Sequence, residues 1–145
     1  MVVLQYKHSL IYITIIAPFP QTKKIMIINY FLYARKSTDV EDKQVRSIDD
    51  QLAVLRALAK EQGLNIVAEF TEKRSAKTPG RSIFNEMMER IQKGEAQGII
   101  CWKLDRLARN MQDGGKIIEW LLQRIIQHIR TFERGYYPTD NVLLM

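Results

Sequence analysis

Apolar residues follow two different spacings along this chain, and segments with the two spacings alternate. Runs rich in β-branched and aromatic residues at 25–33, 65–70, 98–102 and 125–132 are typical of strands. Between them, apolar residues recur three and four positions apart, which is the period of an amphipathic helix. Strands separated by helices favour a parallel sheet with right-handed crossovers. The expected fold is therefore α/β, with a mainly parallel sheet of about four strands flanked by helices.

Three helices are predicted, and the first has the clearest boundaries. Ser47 is a candidate N-cap, Asp50 completes an S-x-x-D capping box, and Gly63 ends the apolar repeat. The second helix is predicted over residues 82–92 and the third over about 113–124. The third is expected to bury one apolar face and to carry Trp120 to the side; the face comprises Ile117, Ile118, Leu121 and Leu122.

Residues 1–25 do not share the periodicity of the remaining chain, and Met26 is a plausible start for the first strand. We therefore expect residues 1–25 to be an extension outside the fold, and residues 26–145 to form one domain. The apolar stretch at 10–19 has about half of the ~20 residues needed to cross a bilayer, and Pro18 interrupts it. No membrane association is expected.

The charge of the chain fits a polyanionic partner but does not establish one. The formal net charge is +6, and it falls to +3 without the first 25 residues, which hold three lysines and no acidic residue. Local clustering is more informative. One basic cluster comprises Lys73, Arg74, Lys77 and Arg81, and a second comprises Lys103, Arg106 and Arg109. An ordinary solvated basic face explains these clusters equally well.

Several kinds of catalytic site are disfavoured by the residues present. The single cysteine, Cys101, lies in an apolar run, so we expect a buried thiol in a protein of the reducing cytoplasm. His8 and His128 are the only histidines of the sequence, and neither is placed for a Ser-His-Asp triad. The spacings of a zinc site and of a phosphate-binding glycine loop do not occur. No metal, cofactor or small-molecule substrate is expected.

Three loops are expected to meet where the parallel strands end, which is where sites form in such sheets. The first loop carries Arg35 and Ser37, the second spans residues 72–81, and the third spans residues 105–109. When a serine attacks a phosphodiester, the negative charge on the phosphate oxygens must be neutralised. Arginine suits this task because it binds phosphate oxygens bidentately and stays protonated at any working pH. The arginines that could cradle one phosphate are Arg35, Arg81, Arg106 and Arg109. Each element alone has a simpler explanation, as a helix cap or a surface ion pair.

Four segments together resemble the catalytic domain of serine recombinases, the resolvase and invertase family, and most closely its large serine recombinase branch. They are YARKST at 33–38, SIDDQ at 47–51, PGR at 79–81 and WKLDRLARN at 102–110. The resemblance covers the chain from about residue 27 onward. It implies that Ser37 is the nucleophile and that Gln51 supports the site. The residues that it places in the active site are Arg35, Arg81, Asp105, Arg106 and Arg109, with Glu72 as an orienting group.

The resemblance also implies a reaction and a set of partners. Ser37 would join covalently to a DNA 5′ phosphate while a 3′ hydroxyl leaves, with no metal or nucleotide cofactor. The active assembly would be a homodimer that pairs into a tetramer on DNA. Relatives continue past the region of residues 136–141 into a long helix and a DNA-binding domain, so we expect this chain to be incomplete at its C-terminus and inefficient alone.

Two alternatives remain open at this point. The chain could be a catalytically incompetent fragment that at most docks onto intact recombinase subunits. It could also be a regulatory receiver-type domain, which needs clustered carboxylates and a metal after the first strand. Asp39, Glu41 and Asp42 lie there, but the arginine-rich loops oppose that use.

Overall fold

The computed structural model describes residues 27–36 and 46–140 in full, and of residues 2–6 and 9–13 it describes the backbone alone. The latter form strands β1 (Val2–Tyr6) and β2 (Ser9–Ile13), which pair antiparallel in a two-stranded sheet of their own. Part of the expected extension at residues 1–25 thus has regular structure, in a sheet that does not include the strands after residue 27. The domain boundary at residue 25 stays a prediction.

The main sheet has five strands: β3 (Asn29–Arg35), β4 (Asn65–Glu72), β5 (Gly98–Cys101), β6 (His128–Thr131) and β7 (Gly135–Tyr136). Their order is β4-β3-β5-β6-β7, with the first three pairings parallel and the last antiparallel. The α/β prediction and the four predicted strands are confirmed. Strand β7 was not predicted, because two residues are too short to show an alternating pattern.

Helix α1 (Ile48–Gln62) has the boundaries that its sequence predicts. The Ser47 hydroxyl accepts a hydrogen bond from the Asp50 amide at 3.1 Å, which satisfies one of the unpaired donors at the helix start. Gly63 ends the helix with a φ of 67°, in the left-handed region where glycine has no steric penalty. The remaining helices are α2 (Ser82–Gln92), α3 (Leu104–Leu107) and α4 (Met111–Leu122).

The helices cover both faces of the sheet, and strand β3 contributes to a core on each. On one face Tyr30, Leu32 and Ala34 pack with α1. On the other, Phe31 and Tyr33 pack with α2 and α4. An interior strand that is buried on both faces has a continuous apolar run in its sequence, which explains the pattern of this segment. Among the described residues, none of the helices has the length and apolar content that a bilayer crossing requires.

The predicted orientation of α4 is wrong in two positions. Trp120 is buried, with 6% of its surface exposed, whereas Leu122 is 68% exposed. The buried stripe runs through Ile117, Trp120 and Leu121, at the i, i+3 and i+4 positions of one helix face. Leu122 lies about 140° around the helix from Ile117, so it faces away from the core.

Candidate active site

The candidate site lies at the carboxyl edge of the sheet, where the predicted loops meet. Arg35 ends β3 and is the register partner of Glu72, which ends β4. The Lys36 amide donates to the Glu72 carbonyl at 3.0 Å, so the two strands stay paired just past their ends. Strand β5 is the other neighbour of β3, and α3 follows it after two residues. All three predicted loops therefore begin side by side.

The Arg35 side chain ties these loops together. It is fully buried, and its Nε donates to the Arg106 carbonyl at 3.0 Å. Its Nη2 donates to the Asp105 carbonyl at 3.3 Å, and its Nη1 to the Arg74 carbonyl at 3.0 Å. The rigid planar fork of a guanidinium suits several fixed acceptors at once. One side chain thus links the end of β3 to both arginine-rich loops.

Gln51 holds the two ends of the segment that carries the predicted nucleophile. Its buried side-chain amide donates to the Arg35 carbonyl at 3.1 Å and to the Arg46 carbonyl at 2.9 Å. Ser37 itself lies outside the described residues, within the interval that these carbonyls bracket. Gln51 therefore connects the main chain just before Ser37 to the main chain just before α1, and its supporting role in the site stays a prediction.

The WKLDRLARN motif folds into the short helix α3 and the turn after it. Arg106 is buried, and its Nη2 lies 3.0 Å from the Asp105 carboxylate, which is half exposed. Arg109 is exposed, and its main-chain amide donates to the Ala76 carbonyl at 3.2 Å. Asp105 and Arg109 therefore present charged groups to solvent beside the buried Arg35 and Arg106.

Arg81 is almost as fully buried as Arg35, but its guanidinium contacts side chains as well as a main-chain carbonyl. Only 1% of its surface is exposed. Its Nη1 donates to the Tyr33 hydroxyl at 2.8 Å, and its Nη2 donates to the Leu107 carbonyl at 2.8 Å and to Asp113 at 2.9 Å. In this structure the guanidinium faces protein groups, so its expected contact with a phosphate stays a prediction.

Glu72 is buried and caps a helix. Its Oε2 accepts hydrogen bonds from the main-chain amides of Ile83 and Phe84, each at 3.1 Å. These amides belong to the first turn of α2, where a carboxylate satisfies unpaired donors and interacts favourably with the helix dipole. Because Arg81 directly precedes α2, the group that Glu72 visibly orients is the helix start beside Arg81.

Sequence reasoning missed three residues that complete this site: Tyr33, Asn110 and Asp113. Asn110 caps α4, since its Oδ1 accepts from the Asp113 amide at 2.9 Å, and the N-x-x-D spacing is a signal that could have revealed it. Burial raises the pKa of the Tyr33 hydroxyl well above its usual range, so this group keeps its proton at neutral pH. It therefore remains able to donate as well as to accept from Arg81.

Other nucleophiles and metal ligands of the described residues do not form a competing site. Burial raises the pKa of the Cys101 thiol to about 12, so it stays protonated at neutral pH, and its predicted burial is confirmed. His128 begins β6, at the opposite edge of the sheet from the loops. Within the part of the chain that the structure describes, no group of three or more His, Cys, Asp or Glu residues is placed to hold a metal ion.

A family model for the N-terminal domain of resolvases matches residues 30–142, which is most of the chain and includes every described site residue. The chain belongs to the resolvase N-terminal domain family. Membership implies that this resolvase-family chain is a DNA recombinase domain that acts in site-specific recombination, binds DNA and oligomerises. No curated protein sequence matches the chain significantly.

Solved structures share the fold of this resolvase-family domain. The N-terminal catalytic domain of TP901-1 integrase is 21% identical with a TM-score of 0.61, and the match covers 72% of this chain and 77% of that one. A resolvase family site-specific recombinase from Streptococcus pneumoniae is 27% identical with a TM-score of 0.57, and the match covers 81% and 80% of the two chains. The C-terminal catalytic domain of ISC1926 TnpA, an IS607-like serine recombinase, is 20% identical with a TM-score of 0.58, over 81% and 75%.

Proposed function

We propose that this resolvase-family chain is the catalytic domain of a serine site-specific recombinase, and that Ser37 forms a covalent bond with a DNA 5′ phosphate. The observation that supports the proposal most directly is the contact of Arg35 with the main chain of Asp105 and Arg106. It brings the strand end that precedes Ser37 against the motif that carries the other arginines. A serine and several guanidinium groups in one place are the requirements of phosphoryl transfer without a metal.

The proposed reaction conserves the free energy of the phosphodiester bond. The Ser37 oxygen attacks the phosphorus, a serine phosphodiester forms, and the bond from phosphorus to the 3′ oxygen breaks. The Ser37 proton leaves to a base or to water, and the departing 3′ oxygen takes up a proton. A 3′ hydroxyl then attacks the phosphoserine and releases Ser37. Because one phosphodiester bond is exchanged for another in each step, neither ATP nor a metal or other cofactor is required.

The arginines differ in burial, and we propose that they therefore stabilise the charge of the phosphate in different ways. Arg109 is exposed, and we propose that its guanidinium contacts a non-bridging phosphate oxygen directly. Arg106 and Arg35 are buried and add positive charge in a site of low solvent content, where electrostatic interactions are stronger. Arg81 is also buried and its guanidinium contacts Tyr33 and Asp113, so direct binding of phosphate by Arg81 requires a rearrangement of these contacts.

The proposed partners follow from the same chemistry. Recombination of two duplexes cuts four strands, and each cut needs its own serine, so the active form is a homodimer that pairs into a tetramer on DNA. Phosphate contacts position a protein but carry no sequence information, and base-edge contacts outside this site would choose the target. The substrate is cytoplasmic DNA, and the buried unpaired thiol of Cys101 suits that reducing compartment.

The proposal is tested by trapping the covalent intermediate. A pool of nicked duplexes with randomised sequence, labelled at 3′ ends, is incubated with excess protein and separated under denaturing conditions. The wild type should give labelled protein, because the strand that begins with the attacked 5′ phosphate stays attached. Ser37→Ala should give none, and Ser82→Ala, at an exposed serine that starts α2, should behave as wild type. A wild type without adduct contradicts the proposal and favours the alternative of an inactive docking partner.

A further inference from the structure

A buried ion pair connects the starts of α2 and α4 next to the candidate site. Arg81 Nη2 lies 2.9 Å from Asp113 Oδ2, and the two side chains are only 1% and 8% exposed. Removing two charges from water is unfavourable, and their mutual attraction offsets that cost only when the geometry and the further hydrogen bonds are good. A pair buried to this extent is therefore weak evidence for a role in stability alone.

Both partners of the pair make further hydrogen bonds to groups that define the site. Arg81 also donates to the Leu107 carbonyl at 2.8 Å, on the last residue of α3. Asp113 also accepts from Asn110 Nδ2 at 2.7 Å, while Asn110 Oδ1 accepts from the Asp113 amide at 2.9 Å. Asp113 thus contacts the Arg81 side chain, which is bonded to Leu107, and the Asn110 side chain.

The two residues between these contacts are Ala108 and Arg109. Asn110 Nδ2 donates to the Ala76 carbonyl at 3.1 Å, and the same carbonyl accepts from the Arg109 amide at 3.2 Å. The main chain that carries Arg109 is therefore fastened before it, at Leu107, and after it, at Asn110. Each fastening includes a side chain that is hydrogen-bonded to Asp113.

We propose that Asp113 is a positioning residue for DNA cleavage, which acts through Arg81 and Asn110 to fix the main chain of Arg109. This inference rests on the proposed function, because it gives Arg109 a phosphate to contact. It also gives Arg81 a structural contribution to the site, and that contribution needs no change in the present contacts of Arg81. A displacement of about 1 Å in such a group lowers a reaction rate by up to about 100-fold.

The first test is Asp113→Asn, which keeps the shape of the side chain and removes the charge opposite Arg81. We expect the rate constant of adduct formation at saturating DNA to fall by about 10- to 100-fold. The DNA concentration for half-saturation should change little, because most affinity comes from other phosphate contacts. As a matched control, Glu69→Gln removes one carboxylate from the exposed pair Arg56–Glu69 and should leave both quantities unchanged.

A second variant separates positioning from folding. Arg81→Met combined with Asp113→Leu replaces the buried charges by apolar groups of similar size, a replacement that is often neutral or stabilising. We expect this double variant to unfold at a temperature close to that of the wild type and still to form adduct slowly. A double variant that reacts as fast as the wild type overturns the inference, because the connection to Arg109 is absent from it.

Amide hydrogen exchange provides a readout that needs no DNA. In wild type the Arg109 amide is bonded to Ala76, and in both Asp113 variants it should exchange about 10-fold faster or more, whereas amides of α1 should be unchanged. Unchanged exchange at Arg109 overturns the inference whatever the activity. A wild type that gives no adduct contradicts the proposed function and removes the inference with it, whereas normal adduct formation by the Asp113 variants overturns the inference alone.

Discussion

The guanidinium of Arg35 donates a hydrogen bond from Nε to the main-chain carbonyl of Arg106, at 3.0 Å, between residues 71 positions apart in sequence. Arg35 ends β3, and Arg106 lies in α3, which follows the neighbouring strand β5. The contact therefore fixes the separation between the segment entering Ser37 and the arginine-rich motif. The proposed phosphate site depends on that separation.

Replacing Arg35 by lysine should show how much the planar guanidinium contributes to stability. An ammonium group is a compact point charge and cannot reach the carbonyls of Arg74, Asp105 and Arg106 together. We expect Arg35→Lys to lower the free energy of unfolding by about 2–3 kcal/mol, as for the loss of charged hydrogen bonds, measured by urea denaturation. Arg56→Lys, at an exposed arginine, is the control and should change stability little. Equal stabilities of the two variants would contradict this account of Arg35.

Gln51 should be required for cleavage although it lies inside the protein. Gln51→Met preserves the length of the side chain but cannot donate to the carbonyls of Arg35 and Arg46, so the ends of the segment with Ser37 are released. We expect a decrease in the rate of adduct formation of about 10-fold or more, and a loss of about 1–3 kcal/mol in stability. Gln112→Met, on the exposed face of α4, should leave both unchanged. Wild-type rates for Gln51→Met would show that this connection does not position the nucleophile.

Glu72 should stabilise the protein through the start of α2. Glu72→Ala leaves the amides of Ile83 and Phe84 without their acceptor, and we expect a loss of about 1–2 kcal/mol, typical of a removed helix cap. Glu72→Gln retains one acceptor oxygen and should lose less. Thermal unfolding of the three proteins tests this order. If Glu72→Gln is as destabilising as Glu72→Ala, charge rather than capping explains the role of Glu72.

Stability should fall on mild acidification because of His128. Burial lowers the pKa of His128 below 6.5, nearby Arg130 lowers it further, and Asp140 opposes the shift. The Tyr30 hydroxyl lies 2.8 Å from Nδ1 and the Tyr137 ring stacks on the imidazole. The unfolded chain therefore binds the proton more tightly, so the contribution of His128 is complete above pH 6.5 and is lost as the pH falls through the pKa of the folded state.

The variant that tests this pH dependence is His128→Asn, which does not titrate in this range and whose side-chain amide can still form a hydrogen bond with the Tyr30 hydroxyl. Melting temperatures at pH 7.5, 6.5 and 5.5 should fall more steeply for the wild type than for His128→Asn. The carboxylates are common to both proteins, so their contribution cancels in the difference. Parallel curves would show that His128 does not titrate differently in the folded and unfolded states.

The main elements of this fold were predictable from the sequence because they depend on local patterns. The cap at Ser47 and the stop at Gly63 are short-range features, and the structure confirms both. The gathering of the loops followed from the general behaviour of parallel strands. The position of Trp120 was predicted wrongly, because a broad apolar stripe permits more than one orientation of a helix on the sheet.

The sequence predicted that these loops would meet, but not the contacts of their side chains. The sequence motifs predicted that Arg35 lies close to Asp105 and Arg106, and in the structure Arg35 is hydrogen-bonded to both. Which arginines are buried could not be inferred, since the burial of Arg81 depends on Asp113, 32 positions away in sequence. Such pairs arise from tertiary packing, and a single sequence carries no periodic signal for them.

The measurement that tests the central claim most directly is identification of the amino acid joined to DNA. The trapped adduct is treated with nuclease and trypsin, and the peptide that retains a nucleotide is fragmented in a mass spectrometer. Cleavage after Lys36 gives a peptide of residues 37–43, and the account predicts a nucleotide joined through its 5′ phosphate to the Ser37 oxygen. A nucleotide on any other residue, or an unmodified 37–43 peptide in the purified adduct, would contradict it.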